Sequence, residues 1–470
     1  MQIEERIVKL QQSLVHENPV LLDVVSTYQQ LDKIAQGMGV LDRKSSYIEQ
    51  ISWWPLIAVL GTFSAGKSSF INSFIGQRVQ DTGNQAVDDR FTVLCYGNGD
   101  EVMTLPGLAL DADPRFPFYG ISDEIERITA GEGNRIDNYL QLKAVPEEVL
   151  KGRIIIDSPG FDADSQRDTI LRVADHIIGM SDLVLVFFDA RHPEPGAMRD
   201  TLKHLVEATR LRQDGDKFLF ILNQIDTAAN EDNPEEIMGS WQRALAASGV
   251  VGGKFYMIYN EQSAAPFKDP AIAERFKRKK DVDLAQIIQR MEQVSVERAY
   301  RISANLENLA DELQKNWLPK IDAVRLQWAK RVALSELVLA GSVVALVVWL
   351  WLGTHWLDSV DLSIFANPQV GLAAVVAAVV ALLVPHYYLR HWWAKRMVTR
   401  LMSKPDTADL GRALSKNTVF WRPMFAQNAR GWGSGAMKRL AKVRDSARAA
   451  IQSLNDQFAK PSGEAIIKND

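Results

Sequence analysis

Apolar residues along this chain fall into three kinds of run, and each predicts a different element. At the start, Ile7, Leu10 and Leu14, then Leu21, Val24, Val25, Tyr28, Leu31 and Ile34, recur every three or four residues, the spacing of a buried helix face. Pro19 breaks the series, so residues 1–52 are expected to form two helices and a linker helix reaching Ser52. Over 53–280 the apolar residues gather instead in short runs at 56–60, 91–96, 152–157, 183–189, 218–222 and 255–259. Near-continuous runs of this kind, separated by long helix-like connections, predict an α/β domain with a mostly parallel sheet and helices on both faces. The helical stripe returns over 281–331, where Leu284, Ile287, Met291, Val294, Ile302, Leu306, Leu309 and Leu313 predict a long amphipathic helix. With the N-terminal helices it would build a stalk or bundle.

The third kind of run is unbroken. Residues 332–352 are apolar apart from Ser335, Glu336 and Ser342, and 370–389 carry no acidic or basic residue except His386. Each has the roughly 20 residues needed to cross about 30 Å of hydrocarbon, which predicts a two-helix transmembrane hairpin. Lys330, Arg331, Arg390, Lys395 and Arg396 flank it, whereas the loop 353–369 holds Asp358 and Asp361 but no Lys or Arg. By the positive-inside rule both termini are cytoplasmic and the loop is periplasmic, as for a two-span protein of a bacterial inner membrane. Trp349, Trp351, Trp356, Tyr387, Tyr388, Trp392 and Trp393 fall where interfacial aromatics belong. Gly341 with Ala345, and Ala373, Ala377 and Ala381, offer small faces for close helix packing. Residues 390–470 form a basic tail in which Trp421, Phe425 and Trp432 lie among cations, suited to anionic headgroups. The run 275–280 reads as a solvated turn.

Composition narrows this picture only slightly. A net charge of −4 with 24% charged residues makes no case for nucleic-acid binding. Cys95 is the sole cysteine, which excludes a disulfide framework within one chain. The first residues lack a basic stretch followed by an apolar one, so no signal peptide is expected.

The candidate chemistry begins at Gly61-Thr-Phe-Ser-Ala-Gly-Lys-Ser-Ser69, between an expected strand and an expected helix. This is the phosphate-binding P-loop pattern, in which backbone N–H groups and a helix N-terminus cradle an anion. Gly61, Thr62, Phe63, Ser64, Ala65, Gly66, Lys67, Ser68 and Ser69 are the candidate phosphate-binding residues. Lys67 would lie along the phosphates, with Ser64 as a second candidate catalytic residue, and Ser68 would take a Mg²⁺ position. Ile154-Ile-Ile-Asp-Ser-Pro-Gly160 supplies the D-x-x-G element: Asp157 for the metal and the Gly160 N–H for a γ-phosphate. Asn223-Gln-Ile-Asp226 matches the base-reading N-K-x-D element with Gln224 in place of lysine. Asp226 would accept from guanine N1–H and N2–H₂ while Asn223 braces the loop, which favours GTP over ATP. Asn260, after the last expected strand, completes the candidate base site.

Together with Phe91-Thr-Val-Leu-Cys-Tyr-Gly97 and Asp182-Leu-Val-Leu-Val-Phe-Phe-Asp-Ala190, these motifs make residues 50–265 resemble the dynamin superfamily. Within it the pattern resembles the Eps15-homology-domain ATPases and bacterial dynamin-like proteins in particular. The resemblance implies nucleotide-driven assembly on membranes, as a homodimer or higher homo-oligomer, with flanking helices as a stalk. It places Asp88, a candidate metal ligand with Asp89 beside it, where the family has a switch threonine, and puts Phe161 after Gly160. Phe63 stands where dynamins proper carry a polar catalytic residue. Neither phenylalanine can orient an attacking water, so slow basal hydrolysis is expected, relieved by dimerisation. The leading expectation is a membrane-anchored dynamin-like GTPase that remodels, tethers or fuses membranes. A membrane-tethered switch that recruits an effector, and a weakly hydrolysing nucleotide-binding scaffold, are the alternatives.

Overall fold

The computed structural model describes residues 3–82, 90–112, 115–116, 126, 133–160, 167–191, 217–227, 234–247, 253–267, 269–354 and 368–458. The first elements in chain order are α1 (Ile3–Glu17), α2 (Leu22–Met38), β1 (Leu56–Gly61), α3 (Lys67–Ile75), β2 (Phe91–Tyr96), β3 (Met103–Pro106), α4 (Leu108–Ala112), β4 (Leu140–Val145) and β5 (Ile154–Asp157). Then come α5 (Arg167–Met180), β6 (Leu183–Asp189), β7 (Phe218–Asn223), α6 (Pro234–Ala247), β8 (Lys254–Met257), α7 (Pro270–Glu312), α8 (Leu318–Thr354), α9 (Pro368–Met402), α10 (Ala408–Asn417) and α11 (Ser434–Phe458). The chain divides into two compact units, one of residues 1–22, 49–302 and 452–470, the other of 23–48 and 303–451.

The first unit is built on an eight-stranded sheet in the order β3-β4-β2-β5-β1-β6-β7-β8. It is mixed rather than simply parallel. β1, β5, β6, β7 and β8 run together, but β2 pairs antiparallel with β5, and β3 antiparallel with β4. Strands β3 and β4 escape the apolar-run criterion for different reasons. β3 is an exposed edge that ends at Pro106. β4 carries Gln141 and Lys143, and the buried Gln141 is tolerated because its amide donates to Thr92 Oγ1 at 2.7 Å. Ile57, Val59, Leu94, Ile155, Leu185, Phe187 and Ile221 form the core with Phe70 and Ile71 of α3. Ile287, Met291 and Val294 of α7 pack into the same cluster, so this part of the amphipathic stripe covers the sheet.

Two sequence expectations fail nearby. Residues 275–280 are helical, not a solvated turn, because Phe276 and Lys280 share the inward face of α7 one turn apart. Lys280 donates to Glu261 at 2.5 Å and pairs with Asp281 at 2.7 Å. Burial opposes its charge, yet those hydrogen bonds hold its pKa above the ordinary lysine value. The expected linker helix before Ser52 is absent: the segment holds only a 3₁₀ turn, Tyr47–Gln50. Asp32 takes the place of helical bonding there by accepting from Ser46 Oγ and the Tyr47 N–H.

In the second unit α2 buries Val24, Val25, Tyr28, Leu31 and Ile34, and Tyr28 accepts from Asn305 of α7 at 3.3 Å. α11 is tied to α7 by Arg444 to Asp311 at 2.7 Å and Arg448 to Glu307 at 2.7 Å. Gly431 has φ +81, and a Cβ there would stand 2.4 Å from the Gly37 carbonyl carbon, so only glycine fits that approach. α7 and α8 form one continuous run through a π-turn, Leu313–Trp317. Pro319 has no N–H for the carbonyl four residues back, and a π-turn accommodates that gap in the ladder.

α8 and α9 each contain a stretch of mean hydropathy 2.2, long and apolar enough to cross a membrane, and no residue of the α9 stretch is buried. The connection 355–367, with Trp356, lies outside the described residues. Small residues do not join the two helices at Gly341, where a Cβ would meet nothing within 4 Å. Polar and aromatic contacts near their other ends do. His386 Nδ1 lies 2.5 Å from Glu336, Trp393 donates to Ser335 at 2.8 Å, and Trp328 donates to the Arg390 carbonyl at 3.3 Å. Below these, Trp328, Ala329, Val332, Ala394, Met397 and Leu414 close a small core.

Candidate nucleotide-binding site

The P-loop follows β1, all six of whose residues are buried, and turns into α3. Two left-handed residues shape the turn: Ser64 at φ 55 and Gly66 at φ 82. A Cβ on Gly66 would lie 2.1 Å from Asn223 Nδ2, so the glycine is demanded by contact as well as by φ. Lys67 is buried, and its ammonium donates to the Gly61 and Thr62 carbonyls at 3.1 and 3.0 Å. Thr62, Phe63, Ala65 and Ser69 lie in the same loop and first helical turn.

Asp157 ends β5 directly beside this loop, because β1 and β5 are parallel neighbours with Val59 opposite Asp157. Ser68 Oγ lies 3.4 Å from Asp157 Oδ2. A hydroxyl and a carboxylate at this spacing suit Mg²⁺, which takes one or two side-chain oxygens and completes its shell with phosphate and water. Gly160 lies close to the loop as well: a Cβ there would meet Phe63 Cα at 3.0 Å, so Phe63 packs on the D-x-x-G segment. Asp88, Asp89 and Phe161 lie outside the described residues.

β7 brings the third element to the same sheet end. Asn223 is buried and its amide donates to the Ala65 carbonyl at 2.9 Å. Gln224, at φ 62, donates to the Ser64 carbonyl at 2.5 Å, so both residues fix the P-loop from below. Asp226 accepts from the Ala265 N–H at 2.7 Å, and Asn260 accepts from the Gln262 N–H at 3.0 Å. Both carboxylate and amide therefore organise the 260–265 loop. Arg191 adds a cation on this side, and its bonds to Asp189, at 2.5 Å for the shortest, raise its pKa further.

Three residues that no motif announces meet beside the P-loop. Gln80 is buried and donates to Asp157 Oδ2 at 2.7 Å, while its carbonyl oxygen accepts from Lys143 Nζ at 2.7 Å. The amide can sit only this way round, since a carboxylate accepts and an ammonium donates. Asn72 of α3 clamps the same point by accepting from the Val79 and Gln80 N–H groups and donating to the Gln80 carbonyl. The only sequence sign was a polar pair, Gln141 and Lys143, inside an otherwise apolar strand.

Residues 57–225 match the model of the Dynamin family. Human EH domain-containing protein 2 is 30% identical over 210 residues, 42% of this chain and 34% of that protein. Cattle EH domain-containing protein 1 is 28% identical over 182 residues, 37% and 31% of the two chains. The match thus spans about a third of these relatives' length. A solved chain of an oligomerised bacterial dynamin pair, described for long-range sensing and tethering of membranes, superposes with a TM-score of 0.37 at 13% identity, covering 97% of this chain and 75% of that one.

Proposed function

We propose, from the match of residues 57–225 to the Dynamin family model, that this chain is a membrane-anchored dynamin-like GTPase that binds GTP with Mg²⁺, hydrolyses it slowly alone, and self-associates to tether, fuse or remodel bilayer. The observation that carries this reading is the gathering of Lys67, Ser68, Asp157 and Asn223 at one sheet end. Lys67 would exchange the Gly61 and Thr62 carbonyls for charged phosphate oxygens, a stronger pairing for an ammonium. Ser68 and Asp157 would hold Mg²⁺, whose chemistry is to neutralise charge on the β- and γ-oxygens. Asp226 would read guanine once it releases the Ala265 N–H.

Residues 332–352 and 370–389 would be the two spans, with the flanking Lys and Arg residues keeping both termini in the bacterial cytoplasm. Phe63 against Gly160 supports slow turnover, because an aromatic ring there offers nothing to orient water. A second copy of the domain would supply the missing group. The same contact supports the second reading, a scaffold that binds nucleotide and barely turns it over.

Turnover of GTP and of ATP, titrated against protein concentration with and without anionic liposomes, tests all of this. GTP turnover per molecule is expected to rise with protein concentration and with lipid. Turnover indifferent to both, with vesicle shape unchanged by GTP, sinks the remodelling reading, and preference for ATP sinks the base assignment. Hydrolysis lost in Lys67→Ala would remove the scaffold reading.

A further inference from the structure

Between α10 and α11 the chain makes a folded excursion, 418–433, in which some apolar side chains are packed inward and others stand exposed. Met424 packs on the core of Trp328, Val332 and Ala394, and Trp432 is buried, so Trp432 is not free for the headgroup contact expected from sequence. Phe420, Trp421 and Phe425 face outward, 67, 66 and 72% exposed, with the Phe420 and Trp421 rings in edge contact at 4.9 Å. Their exposure is imposed by a well-tied backbone. Arg390, itself buried and stacked at 5.5 Å over both Trp328 and Tyr387, donates to the Arg422 carbonyl at 2.6 Å. Arg325 donates to the Ala426 carbonyl at 2.5 Å, and Asn417 accepts from the Arg430 N–H at 2.7 Å.

The place of this clamp decides what the aromatics meet. Arg390 follows the last residue of the second proposed span, and Val332 is the first residue of the other. The excursion is therefore fastened next to the end of the second span through Arg390 and about two helical turns before the first through Arg325, on the side where Lys330, Arg331, Lys395 and Arg396 stand exposed. Large aromatic side chains with cations alongside are suited to the headgroup boundary, where rings meet acyl chains and charges meet phosphates. Left in water they would form an apolar patch without a purpose in folding. We infer that Phe420, Trp421 and Phe425 form an interfacial ledge that lies in the cytoplasmic headgroup layer of the same bilayer the hairpin crosses. The partner is the lipid interface itself. The ledge would fix how deep and at what tilt the hairpin base sits, since a rigid clamp carries its position directly to Arg390 and Trp328.

This inference rests on the hairpin spanning a membrane, and the test separates the two. In a Cys95→Ser background, a polarity-sensitive fluorophore is placed at Trp421→Cys, at Val376→Cys in mid-span, and at the exposed Ser26→Cys, in full-length protein reconstituted into phosphatidylcholine and phosphatidylglycerol vesicles. Nitroxide lipids labelled near the headgroup or at the chain end report depth. The fluorophore at 421 is expected to be quenched about twofold more by the shallow label than by the deep one, the one at 376 the reverse, and the one at 26 by neither. Deep quenching at 376 with none at 421 overturns the ledge and leaves the spans standing. Quenching at neither position overturns the spans and the ledge together. A triple Phe420→Ser, Trp421→Ser, Phe425→Ser variant should keep the fold and move the quenching depth of a fluorophore at Arg396→Cys; unchanged depth there also overturns the ledge.

Discussion

Strand β6 and helix α9 are made of much the same aliphatic side chains, yet all of β6 is buried whereas Val375, Leu382 and Val384 of α9 stand exposed. The sheet resolves its apolar surface internally, with α3 and α7 packed on one face and Trp241 of α6 against Phe188 and Phe255 on the other. The α8 and α9 pair leaves that surface outward and joins its two helices with a few polar and aromatic contacts at one end. An apolar run states that a partner is required; it does not state whether the partner is protein or lipid. Polar groups show the same contrast. In the nucleotide unit they converge on one sheet end, where Asn223, Gln224, Gln80 and Lys67 all bond to the loop or to Asp157. In the helical unit they are spread along seams between helices.

The contrast can be broken most forcefully at the phosphate end. Lys67→Ala should lower kcat/KM for nucleotide by on the order of a thousandfold, about 4 kcal/mol of transition-state stabilisation, while leaving the unfolding midpoint nearly unchanged. A similar loss of midpoint would mean that the buried ammonium serves the fold instead. The same truncation in the two regions gives the next effect. Leu185→Ala should cost about 2–5 kcal/mol in denaturant unfolding of detergent-solubilised protein, and Leu382→Ala within about 0.5 kcal/mol. Equal costs would place Leu382 in a protein core and end the contrast.

Asn223→Ala removes a buried bond and leaves the Ala65 carbonyl unpaired, an expected cost of about 1–3 kcal/mol. Nucleotide affinity by calorimetry should fall with it, because Gly66 and Ala65 lose the brace beneath them. Gln80→Ala should leave nucleotide affinity close to wild type but weaken Mn²⁺ binding, read by paramagnetic resonance, since Asp157 loses the group that orients it. The smallest effect belongs to the helical seam. Hydrogen bonds from Lys315 and Arg444 hold the Asp311 pKa below its ordinary value. Its charged form is thus favoured in the folded state, and its contribution is full above the unfolded carboxylate range and lost as pH falls through the lowered folded value. The difference in Tm between wild type and Asp311→Asn should shrink from about pH 5 to pH 3. A constant difference would remove the role of charge at that seam.

The P-loop, the D-x-x-G element and the six apolar strands are legible in sequence because each is set by residues adjacent in the chain. Backbone conformation, strand burial and a helix start all respond to local pattern: Gly66 must be glycine, and 183–189 must be covered on both sides. The long apolar helices are legible for the same reason. Folding alone decided the rest. The antiparallel turn of β2, the edge pair β3 and β4, the passage of 275–280 into α7, and the inward turn of Trp432 depend on partners distant in sequence. The knot of Asn72, Gln80, Lys143 and Asp157 and the clamp of Arg390 on Arg422 are of this kind too. A hydrogen bond needs its donor and acceptor within about 3 Å, and no periodicity along the chain encodes which two distant residues will meet at that distance.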